Sequence, residues 1–142
     1  MSFENLMNAF AARQQLGQLE SKNNQFFLTI DNRIEVSCFQ ANGRFYVYGI
    51  VASLPEDELK REELLTTLLE KNLVLLATEP VSLCIDSEQD SLAIYISVPL
   101  KDLNLGGIEE SISTLANNYE LFLQWTGQSA PPPPPPSMML MP

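Results

Sequence analysis

Hydrophobic periodicity along this chain switches repeatedly between about 3.6 and 2 residues, and the order of those switches constrains the fold more tightly than any single motif. Over Ser2 to Leu16, Phe3, Leu6, Met7, Phe10 and Ala11 recur at steps of three and four. That spacing predicts an amphipathic helix with Ser2 as N-cap and Gly17 as its stop. From Gln25 the period falls to two. Phe26, Leu28 and Ile30 share one strand face, and after an Asp31-Asn32 turn Ile34, Val36 and Cys38 share the next. The Asn42-Gly43 pair, a strong signal for positive φ, leads into a third strand over Phe45 to Val51.

Helical spacing then returns. Ser53, Pro55 and Glu56 read as a capping box, and Leu59, Leu64, Leu65, Leu68, Leu69 and Leu73 form a stripe too wide for one thin contact with a sheet. Part of such a stripe is expected to face a second subunit. Two or three strands follow, at Val74 to Ala77, Val81 to Ile85 and Leu92 to Val98. Gly106-Gly107 precedes a long helix carrying Ile108, Ile112, Leu115, Tyr119, Phe122 and Leu123 up to Trp125. The fold class is therefore α+β, in the order α-β-β-β-α-β-β(-β)-α, a twisted antiparallel sheet packed by helices.

Composition shifts abruptly after Gly127, where Pro131 to Pro136 can form neither helix nor sheet and favour polyproline II. The chain divides into a domain over residues 1–127 and a flexible Pro-rich tail over 128–142, ending in the apolar patch Met138-Met139-Leu140-Met141. A proline-recognition module could read the rod, but no flanking basic residue fixes an orientation, and a stiff solvated tail is the simpler reading.

Charge and composition remove whole function classes. Eight Lys and Arg face eighteen Asp and Glu, a net charge of −10. The basic residues are scattered singly, so nucleic acid and anionic membrane are poor partners. No run approaches a membrane span, and Met1 to Leu6 lacks the basic and apolar regions of a secretory leader, which leads to the expectation of a soluble cytoplasmic protein. The absence of histidine removes the commonest general base and metal ligand. Cys38 and Cys84 lie inside strand patterns and read as small buried hydrophobes, too few for a zinc site. Asp86, Glu88 and Asp90 have the alternate spacing that opens a calcium loop. Ser91 stands where that loop needs glycine and Ser97 where it needs a bidentate Glu, so a solvated hairpin turn is the better reading. No catalytic residues, metal or cofactor are expected.

Several phrases resemble one family. The opening helix ends in Leu16-Gly17, the first hairpin reads FFLTIDNRIEVSC, YVYGIVASLP and ELLTTLLEKNL follow, and SLAIYISVPLKDL precedes a long helix ending near a tryptophan. Taken in order, over about residues 1 to 126, these are similar to the class I type III secretion chaperones, the Tir chaperone or CesT-like family. The Pro-rich tail departs from that pattern. The resemblance implies a non-enzymatic homodimer that holds an unfolded N-terminal region of one or more effectors in extended form. Beyond the effectors it implies a contact with the secretion ATPase or export apparatus. By analogy the client grooves fall at Phe3, Leu6, Phe10, Phe27, Leu28 and Val36, and the dimer contact at Leu64, Leu68 and Leu76. The competing view is that all nine belong to the monomer's own core. A regulatory module of the same fold, binding a transcription regulator or an anti-activator, is the alternative function.

Overall fold

A computed structural model describes residues 2–127; Met1 and the Pro-rich tail lie outside the described residues. The chain runs α1 (Phe3–Arg13), β1 (Glu20–Lys22), β2 (Gln25–Ile30), β3 (Ile34–Ala41), β4 (Arg44–Ser53), α2 (Glu58–Leu75), β5 (Ser82–Asp86), β6 (Ser91–Pro99), a 3-10 turn (Leu100–Asp102) and α3 (Leu105–Trp125). The strands form one antiparallel sheet in the order β1-β2-β3-β4-β6-β5. The expected α+β architecture is observed.

Three hairpins are set by paired residues that tolerate positive φ. Asn23 and Asn24 (φ 54° and 64°) join β1 to β2, Asp31 and Asn32 (52° and 58°) join β2 to β3, and Asn42 and Gly43 (53° and 74°) join β3 to β4. Left-handed values at both central residues give the turn twist that matches twisted strands.

All three helices lie on one face of the sheet. Phe45 pairs with Val98, Val47 with Ile96 and Gly49 with Ile94, and the apolar members of this alternate set join the main core with Met7, Phe10, Leu115 and Phe122. A smaller cluster of Leu54, Leu68 and Leu92 continues that layer where α2 meets the end of α3. There Trp125 packs edge-on against Phe122 at 5.1 Å, and the Lys71 ammonium sits 5.1 Å from its ring centre. The opposite face carries Phe39, Tyr46, Tyr48 and Tyr95, with Phe39 and Tyr46 stacked at 5.2 Å, and none of these joins either cluster.

Four sequence expectations are corrected. The strand at Val74 to Ala77 does not form, because Leu73-Val74-Leu75 is the last turn of α2. Strand β1 has an all-exposed pattern and gave no apolar alternation to find. Ser53 does not cap α2: it is the last residue of β4, paired with Ser91, and the Asp57 carboxylate accepts from the Lys60 N–H as N-cap. Helix α1 stops at Arg13, short of Leu16, though its N-cap is Ser2 as expected.

Candidate functional site

Because β2 alternates sides, Phe26, Leu28 and Ile30 point toward the helices, paired with Cys38, Val36 and Ile34. Helices α1 and α3 do not close over the outer part of that row. They leave a groove of about 400 Å³ with Leu28 and Ile30 on its β2 side, Phe10, Gln14 and Leu16 on the α1 side, and Ile112 and Ala116 on α3. Its rim is polar: Glu109 accepts a 2.6 Å hydrogen bond from Gln14 and pairs with Arg13 at 3.5 Å.

The expected client residues are distributed unevenly about this groove. Phe10 and Leu28 line it. Phe3 and Val36 are buried in the core, Phe3 against Phe26 and Phe45, and Leu6 is a partly buried neighbour of that core. Phe27, 36% exposed, points to the opposite sheet face, since consecutive strand residues cannot share a side. It cannot line one groove with Leu28. Leu16, Ile30, Ile112 and Ala116 were missed. Ile30 was legible by its spacing of two from Leu28, whereas α3's approach to β2 is a tertiary fact with no local signature.

A second apolar surface lies on α2. Leu64, Leu65 and Leu68 turn inward, and Leu68 has no exposed area. Leu59, Leu69, Leu73 and Val74 face outward, joined by Leu76 at the C-cap and Ile85 on β5; Leu73 is 73% exposed. Of the three expected dimer residues, Leu76 lies on this outward surface, Leu64 is partly buried and Leu68 is sealed in the core. The stripe is two bands, and spacing alone did not separate them.

Between the bands, buried Asn72 fixes α2 to the sheet margin. Its amide donates to the Val81 carbonyl at 2.8 Å and its carbonyl accepts the Leu83 N–H at 3.1 Å. Two backbone groups beside the edge strand β5 are thereby occupied. At the other end of β5, Asp86 accepts from the Tyr48 hydroxyl at 2.6 Å and from the Glu88 and Gln89 N–H groups, which closes the β5–β6 hairpin. These bonds hold the Asp86 carboxyl below the usual carboxylate range, the Tyr48 contribution being the largest. Asp90 pairs with Arg61 at 3.2 Å. The acidic run is a hairpin turn, the reading that Ser91 and Ser97 at the two decisive calcium-loop positions had favoured.

Burial pushes the Cys38 thiol up to about 12, and burial followed by the nearby Asp86 charge raises that of Cys84. Raised values suppress the thiolate, the reactive form. Among the described residues no three His, Cys, Asp or Glu side chains converge on a possible metal position, and no helix is long and apolar enough to cross a membrane.

A family model described as the Tir chaperone protein (CesT) family matches residues 5–122. Among solved structures, the chain is similar to one in the HopA1-SchA chaperone-effector complex, with a TM-score of 0.66 at 18% identity over 86% of this chain and 93% of that one. It is also similar to a chain in the complex of the Yersinia pestis type III secretion chaperone SycH with a fragment of YscM2 (TM-score 0.62, 17% identity, 86% and 99% covered). A third is a chain of the Pseudomonas aeruginosa ExoU-SpcU heterodimer (TM-score 0.64, 14% identity, 84% and 96% covered). At these identities the likeness shows the fold. No curated protein sequence matches.

Proposed function

The chain belongs to the Tir chaperone protein (CesT) family, and on that premise we propose that it is a type III secretion chaperone that holds the N-terminal region of one or more secreted effectors in extended form. The observation that best supports this reading is the open groove between α1, β2 and α3, in which Phe10, Leu16, Leu28, Ile30, Ile112 and Ala116 alternate with polar side chains. An extended client laid along it inserts alternate side chains beside Leu28 and Ile30. Each buried anchor contributes about 1.5–3 kcal/mol before ordering costs, so a few anchors offset the entropy of fixing the chain.

Main-chain pairing adds sequence-tolerant affinity at a free sheet edge. Asn72 obstructs the β5 edge, so β1, with its exposed Glu20–Lys22, is the edge we assign to a client strand. The outward leucines of α2 serve a twofold dimer, in which the same patch of both subunits meets and each contact is made twice. No step needs a cofactor or a reactive group: the protein works in the cytoplasm by binding alone, and its net charge of −10 keeps the complex soluble.

The test compares adjacent residues. The full chain is co-expressed with the N-terminal region of a candidate effector, and the retained complex is quantified for Leu28→Asp and Phe27→Asp. Leu28→Asp is expected to weaken retention at least tenfold, with circular dichroism and mass in solution unchanged, while Phe27→Asp stays within about threefold. Equal loss in both variants, or an effector region no better protected from protease in the complex than alone, contradicts the groove as the client site.

A further inference from the structure

The groove between α1, β2 and α3 mixes apolar and polar side chains, and its charge is of one sign. Two carboxylates line it, Glu109 on α3 and Asp31 at the β2–β3 turn, and no lining side chain is basic. Cross-links fix which end each occupies. Gln14 and Arg13, at the end of α1, reach Glu109, while Arg33, just past the turn, pairs with Glu120, three residues beyond Asn117. Helix α3 therefore runs from the end of α1 toward the β2–β3 turn. The stretch of it that lines the groove, Glu109 to Asn117, is about 12 Å long, the span of about four extended residues.

The two carboxylates differ in what faces them. Glu109 accepts from the Gln14 amide at 2.6 Å and pairs with Arg13 at 3.5 Å. Asp31 is exposed, and its side chain has no ion pair or hydrogen bond among the described residues. Arg33, the basic residue nearest to it in sequence, is committed to Glu120. Just beyond the groove on α3, burial and then the charges of Glu120 and Glu35 raise the Tyr119 hydroxyl above its ordinary value, and the opposing effect of Arg33 is the smallest of the four. The turn end of the groove is thus negative even with Arg33 counted.

That charge bears on what can lie across it. A wholly apolar segment would cover Asp31 without giving it a partner, which costs free energy, and an acidic one would be repelled. A guanidinium or ammonium group replaces the lost water with a charge-assisted hydrogen bond. Leu28 and Ile30 lie two residues apart on one strand face, so the client side chains seated beside them are alternate residues as well. Asp31 follows Ile30 directly.

We infer that Asp31 sets the client chemistry of the groove: it selects an extended segment whose alternate apolar anchors, beside Leu28 and Ile30, are flanked at the turn end by a basic residue. The inference rests on the client reading above and adds to it the sign of the client's charge and the end at which that charge sits. Glu109, already paired, takes little part in the choice.

The experiment uses labelled synthetic peptides of alternating leucine and serine that differ only in the residue after the last leucine, which is arginine, glutamine or glutamate. Each is titrated into the full chain at low salt and followed by fluorescence anisotropy. The arginine peptide is expected to bind about threefold to fivefold more tightly than the glutamine peptide, and the glutamate peptide more weakly than either, with the differences fading at high salt. Asp31→Asn keeps a side chain that tolerates the left-handed φ of 52° at this turn, and should bring the three peptides within about twofold. Glu62→Gln, which removes the same unit of charge from an exposed position on α2, should leave the preference in place. Equal affinities for the arginine and glutamine peptides, or a preference that Asp31→Asn leaves intact, overturn the inference. In that event, loss of all three peptides in Leu28→Asp leaves the client reading standing, and unchanged binding in Leu28→Asp removes both.

Discussion

Helices α1 and α2 are both rich in apolar residues and use them in opposite ways. Eleven residues of α1 bury Phe3, Met7, Phe10 and Ala11. Eighteen residues of α2, with seven leucines, bury only Leu68 and Asn72. Helix α1 packs into the main core beside α3, which itself lies on the sheet, whereas α2 sits at the β5 margin, where one narrow band meets protein. Apolar content therefore does not measure burial. The apolar surface left on α2 is what a second polypeptide would cover.

The comparison breaks most sharply under truncation. Met7→Ala is expected to cost about 2–5 kcal/mol in urea unfolding, because Met7 is fully enclosed. Leu73→Ala on α2 should change the stability of an isolated subunit by no more than about 0.5 kcal/mol. Equal losses would mean that the two helices are not different in kind.

Next in size is Leu69→Asp combined with Leu73→Asp. Placing charges on the outward band should weaken self-association about 100-fold or more, as two apolar anchors per subunit are lost. The check is thermal unfolding at several protein concentrations: a melting temperature that rises with concentration in the parent should become independent of it in the variant. A concentration-independent melt in the parent would contradict the dimer.

Asn72→Leu sharpens the contrast from inside α2. It leaves the Val81 carbonyl and Leu83 N–H without their partner and should cost about 1–3 kcal/mol, despite adding an apolar side chain to a leucine-rich helix. A neutral or stabilising effect would show that the β5 margin tolerates an open edge.

The smallest effect concerns pH. The Asp86 carboxyl is depressed chiefly by the Tyr48 hydroxyl, so its charged form favours the fold above the ordinary carboxylate range, and that contribution fades as pH falls through the lowered value. Tyr48→Phe removes the donor. The Asp86 titration midpoint, followed by carboxyl NMR, should move up, while an unchanged midpoint would remove the bond from consideration.

Much of the fold was legible because local chemistry and tertiary placement agree. The Asp31-Asn32 and Asn42-Gly43 turns fix two hairpins, and alternation around them fixes which side chains face the helices. The first strand was not legible: its three residues are all exposed, and only the Asn23-Asn24 pair marked a turn there. At Leu73-Val74-Leu75 a continuous apolar run fits helix and strand equally, and the contacts of α2 decide. The site was half visible. Alternation separates Phe27 from Leu28 without any structure, yet only packing shows that Val36 and Leu68 are sealed while Leu28 and Leu73 are not. Spacing reports which residues share a face, and the neighbouring element determines whether that face stays open.

The central claim is that this apolar surface is kept for another polypeptide, beginning with a second copy of the chain. Sedimentation equilibrium of the purified full chain tests it most directly. A mass of twice the 15.9 kDa chain, falling to a single chain in the Leu69→Asp, Leu73→Asp variant with its circular dichroism preserved, is the expected result. A stable, soluble monomer at every concentration would contradict it.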